Sequence, residues 1–427
     1  MTISPARKAA FDILLRIEVN GELSSMLLPE FEASLEARDR FLCHEIVLGV
    51  LRRQLLFDHA IDKFSGGKRL DPEVRIACRI GLYQSQHLDR VPLHAIVNDS
   101  VELVRRARRS SATGFVNAFL RRHSKIPLSV DVADELLRIS VETSHPPWLI
   151  ERWSDQFGRD EAMKLANANN EKPSMTFRLT HNADEGILAG ITGIRRSEIV
   201  PDCFITEDIG KLKLLIDSGS IYLQDEGSQL VGSCIRHQDA ARILDLCAAP
   251  GGKTGQIAAS GYEAFIIACD VSPRRIETMR RVLEKQGLEH IPIVQLDAER
   301  ALSFPESSFD VVFIDAPCTG TGTIRHNPEL RYRITEDEIR TKHDQQLRML
   351  TVASNYVRKG GAIYYSTCSL ERDENENVIK EFQRSNSGFK IDDIALPERF
   401  RTIEGFARTF PHRDGTDGFF VAKLLRR

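Results

Sequence analysis

Two cysteines, Cys318 and Cys368, are the residues of this chain whose type and spacing most directly indicate chemistry. Each lies at the end of a strongly hydrophobic run, FDVVFIDAPC over 309–318 and GGAIYYSTCS over 360–369. In a parallel sheet with a helix between consecutive strands, such runs are neighbours, and functional groups gather at the carboxyl ends of the strands. We therefore expect both thiols to face one crevice as a pair of potential nucleophiles.

A glycine-containing loop upstream of these cysteines predicts the cofactor. A strand-like run leads directly into a turn and then a helix, and glycines at such a turn let backbone approach a ligand closely. The loop ends in Gly-Lys-Thr like a phosphate-binding P-loop, but Cys stands where that motif needs its first Gly, and the dinucleotide fingerprint Gly-x-Gly-x-x-Gly is absent. A ligand without a phosphate cradle, S-adenosylmethionine (SAM), suits this loop better. The predicted cofactor-binding residues of the loop are Cys247 (through its backbone), Ala248, Ala249, Pro250, Gly251, Gly252 and Lys253.

Three aspartates at the ends of successive predicted strands support the same cofactor site. Asp270 is placed to accept hydrogen bonds from ribose hydroxyls, and Asp297 to reach an adenine amino group. Asp315 lies beside the reactive centre, where it can serve the cofactor or the edge of a cytosine ring. A single Asp at a strand end is commonly a turn or helix cap, but three that open onto one crevice favour ligand binding.

A thiol pair beside a methyl donor suits the methylation of cytosine. Carbon 5 of cytosine is too weak a nucleophile to attack a sulfonium methyl group, but a thiolate that adds to carbon 6 turns the ring into an enamine. Loss of the carbon-5 proton and elimination of the thiol then restore the ring. One cysteine suffices for attack, and a second can serve the release step.

The composition limits the class of protein. The chain has 427 residues, 42% of them hydrophobic, which is enough for two or three domains. It has no run of about 18 apolar residues for a membrane span, and its first residues lack the apolar core of a signal peptide. Its eight cysteines include no Cys-x-x-Cys pair, so no metal site is predicted. We expect a cytoplasmic monomer with reduced thiols and no membrane partner.

Charge is distributed unevenly along the chain. Residues 1–130 carry 20 Lys and Arg against 15 Asp and Glu, a net charge of +5, whereas the whole chain has a net charge of −3. The basic residues include five adjacent pairs: Arg52-Arg53, Lys68-Arg69, Arg105-Arg106, Arg108-Arg109 and Arg121-Arg122. Such pairs are either solvated helix surfaces or the footprint of an anionic partner, and both interpretations stay open here.

Apolar periodicity predicts a multidomain architecture. Residues 1–135 form an all-α bundle, residues 136–232 a helical linker with a small α+β domain, and residues 233–427 an α/β doubly wound domain. The bundle's helices are predicted at Ala9–Val19, Phe41–Phe57, Pro72–His87, His94–Ala107 and Gly114–His123. The strands of the last domain are predicted at 241–247, 264–270, 292–297, 309–315, 360–368 and 417–425, and its helices at 254–260, 273–286, 335–358 and 372–384.

Residues 241–427 resemble the RNA 5-methylcytosine methyltransferases of the NOL1/NOP2/Sun family. The segments DLCAAPGGKT, DAPCTGTG and YSTCS each match a family signature, and NPELRYR and PHRDGTDGFF match weaker ones. The resemblance implies a Rossmann-like class I SAM-dependent fold in which Cys368 attacks the base and Cys318 assists release. DNA cytosine methyltransferases use a Pro-Cys nucleophile usually followed by Gln. Thr319 follows Cys318 here, which argues against DNA as the substrate.

The N-terminal segments 37–53, 81–106 and 114–122 resemble NusB-like RNA-binding domains. A NusB-like domain joined to a Sun-type catalytic domain is typical of the bacterial members of the family that methylate cytosine in 16S rRNA, so the resemblance implies small-subunit rRNA as the partner. Two alternatives stay open: a tRNA cytosine-5 methyltransferase, and a non-catalytic RNA-binding ribosome assembly factor that keeps the fold as a scaffold. The second would be expected to lose Cys368 or the glycine loop, and both are present.

Overall fold

A computed structural model describes residues 3–124, 126–235, 237–238, 241–260 and 263–427. The chain divides into two compact units, one of Met1–Lys172 with Ile324–Arg333 and the other of Pro173–Thr323 with Ile334–Arg427. The predicted division into three domains, with boundaries after residues 135 and 232, stays a prediction. Residue 1, where the first of these domains starts, lies outside the described ranges. None of the described helices combines the length and the apolar character that a bilayer crossing requires.

The first unit is helical throughout, as the apolar periodicity predicts. On one of its helices the buried residues Ile96, Val97, Ser100, Leu103 and Val104 follow the three- and four-residue spacing of a single helix face. Its helices are α1 (Pro5–Asn20), α2 (Ser24–Glu32), α3 (Ala37–Arg52), α4 (Gln54–Ser65), α5 (Pro72–His87), α6 (Leu93–Arg106), α7 (Thr113–His123), α8 (Glu135–Thr143), α9 (Pro147–Phe157) and α10 (Arg159–Ala168).

One predicted helix is wrong in its extent. The segment Phe41–Phe57 is not a single helix, because α3 ends at Arg52 and α4 begins at Gln54, with Arg53 between them at φ −123°. The apolar pattern continues across the break because Leu51 on α3 and Phe57 on α4 enter the same hydrophobic core. Periodicity alone therefore could not reveal the break.

A short segment that lies far along the chain completes the first unit. Residues 324–333, which include α15 (Leu330–Arg333), belong to it although their sequence neighbours belong to the second unit. The Arg331 guanidinium is fully buried and donates to the carbonyl of Thr143 at 3.1 Å and to Oδ1 of Asn170 at 2.8 Å. A carboxylate oxygen of Glu329 accepts a hydrogen bond from the backbone N–H of Ser24 at 2.7 Å. The first unit is therefore assembled from two separate parts of the chain.

The second unit begins with a small antiparallel sheet. Its strands are β1 (Met175–Leu179), β2 (Ile194–Arg196), β3 (Cys203–Thr206) and β4 (Ile221–Leu223), in the order β2-β3-β1-β4. The short helix α11 (Lys213–Asp217) precedes β4, and α12 (Glu226–Cys234) follows it. Phe177, Phe204, Leu212 and Ile221 form its small core. The alternating runs of the sequence thus form a sheet of their own.

The larger sheet of the second unit carries the candidate site. Its order is β10-β12-β9-β8-β5-β6-β7, with β11 paired to β12. Strands β9, β8, β5, β6 and β7 are mutually parallel, whereas β12 is antiparallel to β9. The strands are β5 (Ala241–Asp245), β6 (Ala264–Asp270), β7 (Ile293–Gln295), β8 (Phe309–Asp315), β9 (Val357–Thr367), β10 (Phe389–Asp392), β11 (Ala407–Arg408) and β12 (Phe420–Arg426). The helices are α13 (Gly252–Ala258), α14 (Pro273–Lys285), α16 (Glu336–Ala353), α17 (Glu376–Ser385) and α18 (Pro411–Asp414).

Both faces of this sheet are buried, as expected of parallel strands. Along β8, Val311 and Phe313 enter one apolar cluster, while Val312 and Ile314 enter the other. The predicted fold class, a helical bundle followed by a Rossmann-like domain, is confirmed. The helix predicted at 335–358 ends at Ala353, because Val357 already pairs with Phe309 at the start of β9.

Candidate active site

The two cysteines lie together at the carboxyl ends of adjacent parallel strands. Strands β8 and β9 pair so that Asp315 lies opposite Ser366. Beyond this pair each strand continues into a loop that carries one of the cysteines. The Sγ atoms of Cys318 and Cys368 are 3.2 Å apart, and both residues are partly exposed. The expected juxtaposition of the two thiols thus follows directly from the register of two strands.

The environment of Cys318 favours its protonated form. Its pKa is raised well above the usual thiol range by the hydrogen bond with Cys368, then by burial and by the nearby charges of Glu374 and Asp315. A neutral thiol beside a second sulfur can donate a hydrogen bond to it. This protonated thiol is consistent with the release role that the resemblance implies for Cys318, and that role stays a prediction.

The loop from β5 to α13 makes a tight backbone turn. The N–H of Gly251 donates to the carbonyl of Ala248 at 2.7 Å, and the N–H of Ala248 donates to the carbonyl of Cys269 at 2.8 Å. Gly251 has φ +100°, a conformation that favours glycine. A Cβ at Gly252 would come within 2.7 Å of the Tyr222 ring. The predicted loop residues 247–253 therefore form a compact turn in which both glycines are required.

The side chain of Cys247 is unsuited to thiolate chemistry. Its pKa is raised well above the usual range, first by burial and then by the carboxylates of Asp245, Asp315 and Asp270. This agrees with the expectation that Cys247 contributes backbone rather than sulfur. Pro250, at the tip of the turn, is exposed, and the carbonyl of Ala249 accepts a hydrogen bond from Arg275.

Asp270 keeps an oxygen free for a ligand. It lies at the end of β6 with 2% of its surface exposed. Its Oδ1 accepts a hydrogen bond from the N–H of Ser272 at 3.0 Å. Among the described residues no donor forms a hydrogen bond to its buried Oδ2, and Arg275 Nη1 lies at ion-pair distance from it, 3.4 Å. A buried carboxylate oxygen without a donor is what a ribose hydroxyl would satisfy.

Asp297 is placed differently from Asp270. Strand β7 ends at Gln295, so Asp297 lies in the following turn and not at the strand end. One of its oxygens accepts a hydrogen bond from the N–H of Glu299 at 3.0 Å, and the other pairs with Arg300 at 3.1 Å. These local contacts are those of a turn cap. Its predicted contact with adenine stays a prediction.

Asp315 links the cofactor loop to the strand that carries Cys318. Its Oδ2 accepts a hydrogen bond from Lys253 Nζ at 2.7 Å, and its Oδ1 accepts one from Ser366 Oγ at 2.7 Å. Burial lowers the pKa of Lys253, but Asp315 outweighs it and the pKa is raised, so this lysine stays charged. The charged Lys253 side chain therefore forms an ion pair with Asp315. A carboxylate has about four acceptor positions, so Asp315 retains capacity for a ligand.

Two polar groups of the site were missed by the sequence reasoning. Arg178, on β1, donates to the carbonyl of Gly252 at 2.8 Å and to Gln224 Oε1 at 3.0 Å, and burial lowers its pKa to about 10. It supports the cofactor loop from the small sheet. Glu374 lies fully buried between the two cysteine loops. A lone Arg in a short strand and a Glu in the acidic run 371–376 carry no signal that separates them from solvated residues.

The residues at this crevice fit the expected cofactor. A turn closed by its own backbone, with glycine where a Cβ would collide, leaves backbone close to any ligand, and Asp270 Oδ2 supplies the unmet acceptor. The cations at this turn already have partners, since Lys253 binds Asp315 while Arg178 and Arg275 donate to backbone carbonyls of the turn, so they do not form a phosphate site. Asp270, Gly251 and the backbone of Cys247 would hold SAM, which supplies a methyl group on a sulfonium when bound.

Three segments of the chain match known families. Residues 233–425 match the family described as 16S rRNA methyltransferase RsmB/F, residues 4–125 match the NusB family, and residues 145–183 match the Methyltr_RsmF/B-like, ferredoxin-like domain. The matched segments lie in the same order as the predicted helical bundle, small domain and α/β domain.

Similar proteins span the full chain. The chain is 30% identical over 446 residues to the probable ribosomal RNA small subunit methyltransferase B of Bacillus subtilis, covering 100% of both. It is 29% identical over 443 residues to the protein of the same name from Synechocystis, covering 99% of both. Among solved structures it is similar to PH0851, with 27% identity, a TM-score of 0.84 and full coverage of both chains.

A further solved structure supports the fold alone. NSun6 from Pyrococcus horikoshii, solved with SFG, has 21% identity and a TM-score of 0.60 over 66% of this chain and 98% of its own. Together, the full-length relatives, the three family matches and the site geometry establish the family. This chain belongs to the 16S rRNA methyltransferase RsmB/F family of SAM-dependent methyltransferases, with a NusB domain.

Proposed function

We propose that this protein transfers a methyl group from SAM to carbon 5 of a cytosine in small-subunit (16S) rRNA, through a covalent cysteine–cytosine adduct. The observation that carries the proposal is the pair of thiols 3.2 Å apart, at the ends of adjacent strands and in the same sheet as the cofactor loop. A single thiol would serve attack alone. Two in contact supply both a nucleophile and a group for the release step.

The division of labour between the two thiols is the one that the resemblance to the NOL1/NOP2/Sun family implies. The Cys368 thiolate adds to carbon 6 of cytosine, and carbon 5 of the resulting enamine then attacks the methyl group of SAM. The bond between that methyl group and sulfur breaks, and its electron pair stays on the departing sulfur. The carbon-5 proton is next removed, and the bond between carbon 6 and sulfur breaks to restore the ring. Cys318, whose pKa is raised, is the group beside the attacking sulfur that assists this release.

Acidic residues hold the two substrates in this proposal. Asp270 binds the ribose hydroxyls of SAM through its unmet oxygen, and Asp297 reaches toward the adenine. Asp315 accepts hydrogen bonds from the cytosine amino edge and so steadies the positive charge that develops on the ring during addition. Lys253 holds the Asp315 carboxyl group in place at the end of β8 through a hydrogen bond of 2.7 Å.

The names of the relatives favour rRNA over tRNA as the substrate. The full-length relatives from Bacillus subtilis and Synechocystis are named as ribosomal RNA small subunit methyltransferases. The net charge of +5 over residues 1–130 and the NusB match support delivery of RNA by the first unit. A base in folded rRNA must be presented unpaired, and binding of the flanking RNA offsets that cost. The scaffold alternative is disfavoured because both thiols and the glycine loop are intact.

The test separates attack from release. Cys368→Ala should abolish methylation of 16S rRNA while SAM binding persists, because no adduct can form. Cys318→Ala should still attack but release poorly, and a protein–RNA adduct should persist on a denaturing gel. Methylation is measured by bisulfite sequencing of the RNA product.

Cys269→Ala is the matched control, because this cysteine is buried in β6 and the proposed chemistry gives its thiol no role. It should methylate like the unmodified protein. An adduct that accumulates with Cys368→Ala instead would reverse the two roles. Unchanged methylation by Cys368→Ala would remove the covalent mechanism.

A further inference from the structure

Glu374 is a buried acidic residue beside the thiols for which the proposed chemistry has no use. It ends the short 3-10 turn Arg372–Glu374 that precedes α17, and none of its surface is exposed. Burial raises its pKa, although hydrogen bonds from Ser369 and Thr319 oppose that effect. A buried carboxyl group contributes little to stability compared with a well-packed apolar side chain. The burial of Glu374 is therefore better explained by the residues that it holds in place than by its contribution to stability.

One side of this carboxyl group holds the Cys318 loop. Glu374 Oε1 accepts a hydrogen bond from the N–H of Thr319 at 2.8 Å, and Oε2 accepts one from the Thr319 hydroxyl. Gln346 reinforces the contact, since its Nε2 donates both to Glu374 Oε1 at 3.2 Å and to the carbonyl of Pro317 at 3.0 Å. The residue after Cys318 is thus held by Glu374 directly, and the residue before it is held through Gln346.

The same carboxyl group holds the Cys368 loop. Glu374 Oε2 also accepts a hydrogen bond from the hydroxyl of Ser369, the residue that follows Cys368. The next residue, Asn375, donates from Nδ2 to the carbonyl of Ser369 at 2.8 Å and accepts from the Thr367 hydroxyl at 2.5 Å. The residues on both sides of Cys368 are therefore held by Glu374 and Asn375.

The geometry points to Glu374 as a positioning residue that sets the separation and orientation of the Cys318 and Cys368 thiols by binding the residues directly after both. The two loops also contact each other directly, where Thr319 Oγ1 lies 3.4 Å from Ser369 Oγ and where the N–H of Gly322 donates to the carbonyl of Cys368 at 2.9 Å. Thr321 adds contacts with Ser369 and Leu370, and Glu374 joins this set as a third residue that binds both loops. Displacement of reacting groups by about 1 Å can cost about a hundredfold in rate. The inference deepens the proposed function and rests on it only for the roles of the two thiols in methyl transfer.

Oxidation of the thiol pair measures its geometry without RNA or SAM. Diamide accepts two electrons and two protons from Cys318 and Cys368 and leaves a disulfide between them. Glu374→Ala in the full-length protein should slow formation of this disulfide about tenfold, read by mass spectrometry of unreduced digests. Glu374→Gln should stay close to the unmodified rate, because its amide oxygen still accepts from Thr319 N–H and the hydroxyls can reverse to accept from its NH₂ group.

Methylation kinetics supply the second readout. Glu374→Ala should lower kcat for 16S rRNA about as much as it slows formation of the disulfide. KM and SAM affinity should not change, since the partners of the Glu374 side chain are Thr319, Ser369 and Gln346 and not residues of the cofactor turn. Glu381→Ala, an exposed change on α17, is the control and should alter neither rate. A thiol oxidation rate in Glu374→Ala equal to that of the control overturns the inference.

A second variant covers a failure of Glu374→Ala to fold. The pair Thr319→Val with Ser369→Ala removes both hydroxyl contacts and leaves Glu374 in place. It should slow disulfide formation measurably, and an unchanged rate also overturns the inference. The outcome is independent of the proposed reaction: if Cys368→Ala still methylates, the covalent mechanism fails while the oxidation rates still decide the role of Glu374.

Discussion

Buried charged groups are partnered differently at two places in this protein. In the first unit Arg79 forms ion pairs with both Glu18 and Asp58. In the second unit Asp245 Oδ1 and Asp270 Oδ2 are buried and receive no hydrogen bond from the residues that the structure describes. The first pattern is that of a framework. The second leaves binding capacity for a ligand, in the unit that also carries the thiol pair.

Ion pairing and burial within the first unit also change the interpretation of the five adjacent basic pairs. Arg52 is buried, Arg106 pairs with Asp12 at 2.7 Å, and Arg109 lies 3.3 Å from Glu73. These arginines hold the helices of the first unit together. The other exposed members of the pairs are the ones that an anionic partner can reach: Lys68, Arg69, Arg105, Arg108, Arg121 and Arg122.

The largest effect is expected at Asp245, a buried carboxylate of the second unit, and concerns the pH dependence of stability. Burial raises the pKa of Asp245 to about 7, above its ordinary value of 3.8, although the hydrogen bond from Thr254 opposes the shift. The folded state therefore binds a proton more tightly than the unfolded chain, so the stability that this proton confers is present at low pH and is lost as pH rises toward 7.

Asp245→Asn removes this dependence and keeps an acceptor for Thr254. Relative to the unmodified protein, its free energy of unfolding should gain about 1.4 kcal/mol for each pH unit between the two pKa values. Urea unfolding at pH 4, 5.5 and 7 measures it. Parallel pH profiles for the two proteins would show that Asp245 is compensated after all.

A smaller effect is expected from the second incompletely matched carboxylate. Asp270→Ala should weaken SAM binding about ten- to a hundredfold, because a hydrogen bond to a charged group contributes roughly 1.5–3 kcal/mol. Calorimetry gives the affinity. Asp297→Ala is the comparison, and its loss should be smaller, since both Asp297 oxygens already have local partners. Unchanged affinity in Asp270→Ala would remove this residue from the cofactor site.

These contrasts also show what the sequence could and could not predict. The placement of Cys318 and Cys368 was predictable because neighbouring parallel strands bring their ends together whatever the loops do. Glu374 was not, since its role depends on the loop path that buries it. The pairing of Arg106 with Asp12 spans 94 residues and is a property of helix packing, which charge counting along the chain cannot see.

The insertion of residues 324–333 into the first unit was equally invisible. NPELRYR reads as a motif of the α/β domain, yet Arg331 and Glu329 are partners of the helical unit. This changes how RNA delivery should be tested. Deletion of residues 1–135 would remove Ser24 and other partners of this segment and would disturb folding as well as RNA binding. Single charges are the cleaner probe.

The smallest effects are expected from the exposed basic residues, taken one at a time. Arg69→Ala and Arg121→Ala should each weaken rRNA binding and lower the slope of log affinity against log salt by about one, if each contacts a phosphate. SAM affinity should not change. Arg109→Ala is the matched control: its guanidinium already faces Asp71 and Glu73, so it should alter the slope less. Filter binding across a salt series measures all three. Equal slopes in every variant would show that the net charge of +5 over residues 1–130 does not reflect phosphate contacts, and would leave RNA recognition to the second unit.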